Sequence, residues 1–195
     1  MTITTTDELS AVNTMLGVIG EAPINSLAAI SSVIDAVTAR AVLNEIAVTV
    51  QSEGWQFNTE DNWTFLPDNT GTINIPSSII EARSYTTEFD LALRGTRLYD
   101  RKNHTYDFSA YISKGIALNC TVLMEFADLP QAARYYISIR AARVFQNRVV
   151  GSDTLKGFTK EDEMYARVAL KKYDADSAGY NMLTGTYGVA RTLDR

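Results

Sequence analysis

The chain has one histidine and one cysteine among 195 residues, so nucleophilic or metal chemistry has few places to reside. His104 sits in the polar stretch "RKNHTY", which reads as a solvated turn with no orienting partner nearby in sequence. A Ser-His-Asp triad would have to use it, and no nucleophile-elbow motif is present. Cys120 lies in an alternating apolar pattern and reads as a small core residue. A lone cysteine excludes an intrachain disulfide and a multi-cysteine zinc site. Asp174 and Asp176 lack the glycine and distal glutamate of a calcium loop. No glycine-rich phosphate loop occurs, and no cofactor or metal is expected. Glu53, Glu60 and Asp61 stand beside Trp55, Phe57 and Trp63, and carboxylates beside aromatics could serve glycoside hydrolysis. Acids near helix ends and turns also arise for capping reasons.

The segment holding those residues is "TVQSEGWQFNTEDNW", residues 49 to 63, and it contains both tryptophans of the chain. A run with helical spacing stops at Gly54. If Gly54 is left-handed, Trp55 is the residue that packs back on Val50 in a Schellman ending, and Phe57 continues along a strand. A structural corner of Val50, Gly54, Trp55 and Phe57 explains the spacing without a ligand; a ligand pocket is the other reading.

Four arginines form a second polar pattern. Arg134, Arg140, Arg143 and Arg148 occupy a segment with no Asp or Glu between Gln131 and Ser152. At about 100° per residue, Arg134 and Arg148 fall close together, with Arg140 and Arg143 nearly opposite. They could pair with the acids at 161 to 163, or they could meet a neighbouring subunit or partner, where arginine is favoured.

The elements around these residues follow from periodicity. "TTDELSAVNTMLGVIG" predicts a helix with a Thr5/Glu8 capping box, a stripe of Leu9, Val12, Leu16 and Ile19, and a stop at Gly20. A longer helix is expected from Ser31 or Ser32, with Ala39, Val42, Leu43, Ile46 and Val50 inward. From Trp55 to Phe126 the period becomes two. Ile73 and Ile75 alternate, as do Phe89, Leu91 and Leu93 before an "RGT" turn. "RLYDRKNHTYDF" reads as two short strands, and Leu118, Cys120, Val122, Met124 and Phe126 give the clearest strand. Helix returns after Asp128 and Pro130, a cap and a first-turn proline. There Tyr135, Ile139, Ala142, Phe145 and Val149 share a face, while Tyr136, Ile137 and Val144 lie elsewhere, so cover from several directions is expected. Thr159 caps a last helix with acids in its first turn and a narrow stripe of Met164, Tyr165, Val168 and Ala169.

The expected fold class is α+β: an α-helical bundle with an inserted antiparallel β-rich subdomain and an extended C-terminal arm. The divisions are 1–54 and 127–179 for the helical part, 55–126 for the insertion and 180–195 for the arm. In the arm, Tyr180, Met182, Leu183, Tyr187 and Leu193 have neither helical nor strand period. They are expected to fill separate pockets on a neighbouring subunit or another partner.

Composition narrows the function. Hydrophobic content of 46% supports a real core, and 21% charged residues argue against wholesale disorder. A net charge of −5 disfavours tight phosphate binding and suits a surface that DNA passes without sticking. No apolar run reaches the length of a membrane span. The opening "MTITTTDELS" lacks the basic and apolar regions of a signal peptide, so synthesis in a cytoplasm is expected.

Four stretches together resemble one family: "ELSAVNTMLGVIGEAPINSL", "LNEIAVTVQSEGWQFNTED", "LPQAARYYISIRAARVFQNRVVGS" and "YDADSAGYNML". In order and spacing they are similar to the tail tubular protein A family of short-tailed bacteriophages. The resemblance is strongest over residues 8 to 68, 126 to 152 and 165 to 183. It implies a structural virion protein, assembled in the bacterial host cytoplasm. Members form a dodecameric ring adaptor between the portal protein and the nozzle of tail tubular protein B. The ring surrounds the channel for double-stranded DNA, without sequence-specific binding. The family carries no catalytic motif to transfer. A polysaccharide-degrading hydrolase, alone or as a side activity, is the alternative.

Overall fold

A computed structural model describes residues 5–149, 151 and 160–177. The fold is α+β and divides into two compact units, 1–47 with 126–195, and 48–125. The expected cap Thr159 and arm 180–195 lie outside the described residues.

The first unit is helical. Its opening helix, α1 (Glu8–Val18), is capped by Asp7, not by Thr5. The Asp7 carboxylate accepts the Ser10 N–H at 2.7 Å, and the Ser10 hydroxyl accepts the Asp7 N–H at 2.9 Å. A shorter acid one turn before serine closes the same reciprocal box that Thr5 and Glu8 would have made. Glu8 instead bonds Arg40 of α2 (Ile34–Gln51) at 2.7 Å. That helix begins two residues later than Ser32, because Leu27–Ser32 form a 3-10 turn first. Its expected inward stripe from Ala39 to Val50 is buried throughout.

The central helix is α3 (Gln131–Val149), which packs on α1 and on α4 (Lys160–Ser177). Pro130 is the residue immediately before α3, and Asp128 falls in a separate 3-10 turn, Phe126–Asp128. Ala133, Tyr136, Ile137, Ala141 and Phe145 have no exposed surface, so α3 is covered on several sides. Tyr135 and Val149, expected inward, are exposed instead.

The second unit begins with the last turn of α2 and contains an antiparallel three-stranded sheet. Its order is β1 (Thr59–Phe65), β5 (Ile116–Val122), β2 (Ile79–Ser84), with β5 central. A hairpin of β3 (Leu91–Arg94) and β4 (Arg97–Asp100) turns at "RGT". Ile73 and Ile75 are buried, but their segment joins the hairpin by a single bridge, Asn74 to Arg97, and forms no strand. Met124 and Phe126 fall after the end of β5. Leu98, Phe108, Ile116, Leu118 and Cys120 fill the core between sheet and hairpin. β1 is an edge strand with mostly exposed residues, interrupted by a bulge between Glu60 and Trp63 where Asn62 has φ +58°. Charges and a bulge blunt such an edge against pairing with another chain.

Candidate functional site

The corner after α2 is built from backbone need. A helix end leaves carbonyls without partners. Gly54, at φ +71°, turns the chain and donates its N–H to Gln51 O at 3.1 Å. In a Schellman ending the Trp55 backbone N–H would take the Val50 carbonyl. Here that N–H goes to Asn58 Oδ1 at 2.8 Å, and the indole Nε1–H donates to Val50 O at 2.7 Å. The Trp55 ring thus clamps the helix end through its own donor and is buried. Phe57 lies in the 3-10 turn Gln56–Asn58, not on a strand, and its ring is parallel to Trp55 at 6.5 Å. Asn58, which sequence reasoning passed over, also donates to Gln51 O and Val122 O at 2.9 and 3.1 Å. A hollow of about 260 Å³ runs past Glu53, Gly54, Asp61, Glu81 and Arg83. Arg83 and Glu81 are already paired there at 2.6 Å, and the indole is not part of its lining.

The residues with chemical potential do not converge. His104 sits at φ +55° in an exposed turn. Cys120 is buried opposite Glu60 in the β1–β5 register. Burial, followed by the Glu60 charge, pushes its thiol up to about 11, so it holds its proton at neutral pH. Glu60, Asp61 and Trp63 line an open depression on the edge strand, with Trp63 tilted against Phe65 at 5.0 Å. Among the described residues, no group of three or more His, Cys, Asp or Glu is placed to hold a metal ion.

The arginines of α3 split three ways. Arg143 bonds Glu163 of α4, and Arg140 approaches the same carboxylate at 3.8 Å while donating to Tyr136 OH at 3.3 Å. Glu163 is thus held between two guanidinium groups at the α3–α4 contact. Arg148 makes a bidentate pair with Glu45 of α2 at 2.6 and 2.7 Å. The Arg148 hydrogen bonds hold the Glu45 carboxyl below its usual range, and both side chains stay about half exposed. Arg134 stands apart: its Nε is buried without a hydrogen-bond partner among the described residues, and its charge acts on Asp7. The arm residues Tyr180, Met182, Leu183, Tyr187 and Leu193 lie outside the described residues.

Two outward faces of the helical unit were not foreseen. α4 buries Ala166 and Leu170, with Glu163 and Arg167 beside them. The expected stripe of Met164, Tyr165 and Val168 points the other way and is exposed, Tyr165 at 67%. In this rotation Glu163, on the same side as the buried Ala166 and Leu170, meets the α3 arginines. On α2, Ile34, Val37 and Ala41 form an exposed row, with Ile34 at 83%. The spacing i, i+3, i+7 is legible there, on a side of the helix separate from its inward stripe.

No helix among the described residues is long and apolar enough to cross a membrane. No curated protein matches the chain. The family model described as tail tubular protein matches residues 9–180, which takes in every described helix and strand except the first residue of α1. The chain belongs to the tail tubular protein family.

Proposed function

We propose that the protein is a ring-forming adaptor of the virion tail, seated between the portal protein and the nozzle and surrounding the channel through which double-stranded DNA passes. Membership in the tail tubular family makes it a structural tail component, and that match over residues 9–180 is the observation that carries the proposal. The net charge of −5 suits a conduit wall, which should not hold phosphates. The large exposed apolar residues on α2 and α4 suit a protein whose neighbours cover it after assembly. Arg148 stays half exposed even in its pair with Glu45, which supports the reading that it meets such a neighbour. The ring is dodecameric, assembles in the host cytoplasm and catalyses nothing.

Sedimentation of the purified protein with and without purified portal protein tests this. The proposal expects the chain to move with the portal as a large complex. Polysaccharide cleavage that disappears in a Glu60→Gln/Asp61→Asn double variant would instead establish a hydrolase.

A further inference from the structure

Arg94 and Arg97 stand opposite each other as register partners at the tip of the β3–β4 hairpin. Two like charges placed directly opposite destabilise such a pair of strands. Both side chains are exposed, and neither has a carboxylate partner among the described residues. Each is held on a tyrosine instead. The Arg94 guanidinium lies 3.6 Å over the Tyr99 ring, Arg97 lies 4.7 Å over Tyr106, and the two rings meet at 4.8 Å. Stacking fixes the plane of a guanidinium and leaves its N–H fork free for a bidentate oxyanion. The carboxylates around the hairpin are engaged elsewhere. Asp90 pairs with Arg101, and Asp100 accepts from the Lys102 and Asn103 N–H groups. Asp68, bonded to the Arg97 bridge partner Asn74, also accepts from Thr70 and Thr72.

The converse surplus lies on β1. Glu60 and Asp61 are exposed at the bulge, and neither has a cationic partner among the described residues. Arg83, which shares a hollow with Asp61, is paired with Glu81. Together with Trp63, 42% exposed, the two carboxylates line an open depression. Carboxylates beside an exposed aromatic face are what two free guanidinium forks can take up. The hairpin adjoins β2, and β2 is the opposite edge of the sheet from β1. We infer that the Arg94–Arg97 tip of one copy docks on the Glu60–Asp61 depression of the next copy. This rests on the ring reading and names the surfaces that build the ring. The two surfaces are different, so the contact is head-to-tail, and repetition of a head-to-tail contact closes a ring when the rotation allows. The bulge keeps β1 from pairing strand to strand, so side chains carry the contact. Tip on tip would gather four arginines, and depression on depression four carboxylates. A phosphate would fit the same forks, but a carboxylate-bearing surface accounts for the depression as well.

Charge reversal in the full chain, assembled on purified portal protein and counted as rings by electron microscopy, tests the contact. One batch of subunits carries Arg94→Glu with Arg97→Glu; a second carries Glu60→Lys with Asp61→Lys. Each batch alone should give at least tenfold fewer rings than the native chain, with unchanged melting, because all four side chains are exposed before assembly. An equal mixture should restore the rings. In it each reversed tip meets a reversed depression and each native tip a native one, alternating around an even-numbered ring. A chain carrying all four substitutions should form rings by itself. Native numbers of rings from either batch alone would overturn the contact and leave the ring reading standing, even where those rings fail to hold DNA or the nozzle. Loss of rings in both batches without recovery in the mixture would overturn it too. Absence of rings from the native chain would overturn both.

Discussion

The side-chain amide of Gln51 brackets the backbone of Met124, residues 73 positions apart. Its Oε1 accepts the Met124 N–H at 2.8 Å, and its Nε2 donates to the Met124 carbonyl at 3.1 Å. Gln51 is 1% exposed and Asn58, which donates to the Gln51 carbonyl, is 2% exposed. The two amides tie the last turn of α2, the corner and the chain leaving β5. A buried amide group left without a partner costs about 1–3 kcal/mol. Gln51→Met keeps the volume but removes both bonds, and should destabilise the protein by about 2 kcal/mol in denaturant titration. Asn58→Leu removes three hydrogen bonds, including the one that holds the Trp55 N–H, and should cost at least as much.

The Trp55 indole gives a graded test of the corner. Trp55→Ala should cost about 3–5 kcal/mol, as expected for a large buried ring. Trp55→Phe keeps most of the ring but loses the Nε1–H bond to Val50, and should cost about 1–2 kcal/mol. Equal losses for the two variants would show that the hydrogen bond, not the packing, holds the corner.

Two glycines distinguish conformational strain from steric exclusion. At Gly54 an added Cβ would meet Thr121 Oγ1 at 3.6 Å and Thr59 Oγ1 at 3.9 Å, both ordinary contacts. Gly54→Ala should therefore cost only the left-handed backbone, about 1 kcal/mol. At Gly115, φ +70°, the Cβ would lie 2.6 Å from Thr64 Cγ2 and 2.8 Å from the Phe65 carbonyl oxygen. Gly115→Ala must push β1 as well, and should lower the melting temperature clearly more than Gly54→Ala.

The Asp7 cap sets a pH dependence. The Ser10 backbone N–H, followed by its hydroxyl, holds the Asp7 carboxyl below the reference value of 3.8. A depressed folded-state value means the stabilisation is complete above the unfolded value and is lost as pH falls through the folded one. Asp7→Ala should cost about 1 kcal/mol at neutral pH. The difference from the native chain should shrink once the pH falls below 3.8, as read by thermal melting across the acid range.

Elements with long, regular spacing were legible in the sequence. The inward row of α2, the "RGT" hairpin and the alternation of β5 needed only local periodicity. Phe57 was misplaced because a 3-10 turn and a strand start look alike over three residues. The rotation of α4 was illegible for a different reason. Apolar content pointed Met164 and Val168 inward, but the Glu163 contact with Arg140 and Arg143 is a tertiary interaction that no local pattern records. The tie from Gln51 to Met124 is likewise non-local. For the same reason, the apolar rows of α2 and α4 could be seen as rows, but not as surfaces.

The central claim is that this chain builds a ring on a portal. Electron-microscopy class averages of the purified protein mixed with portal protein test it most directly. The account predicts a closed ring stacked coaxially on the portal, continuing its channel. Portals that remain bare beside monomeric protein at saturating concentration would contradict it.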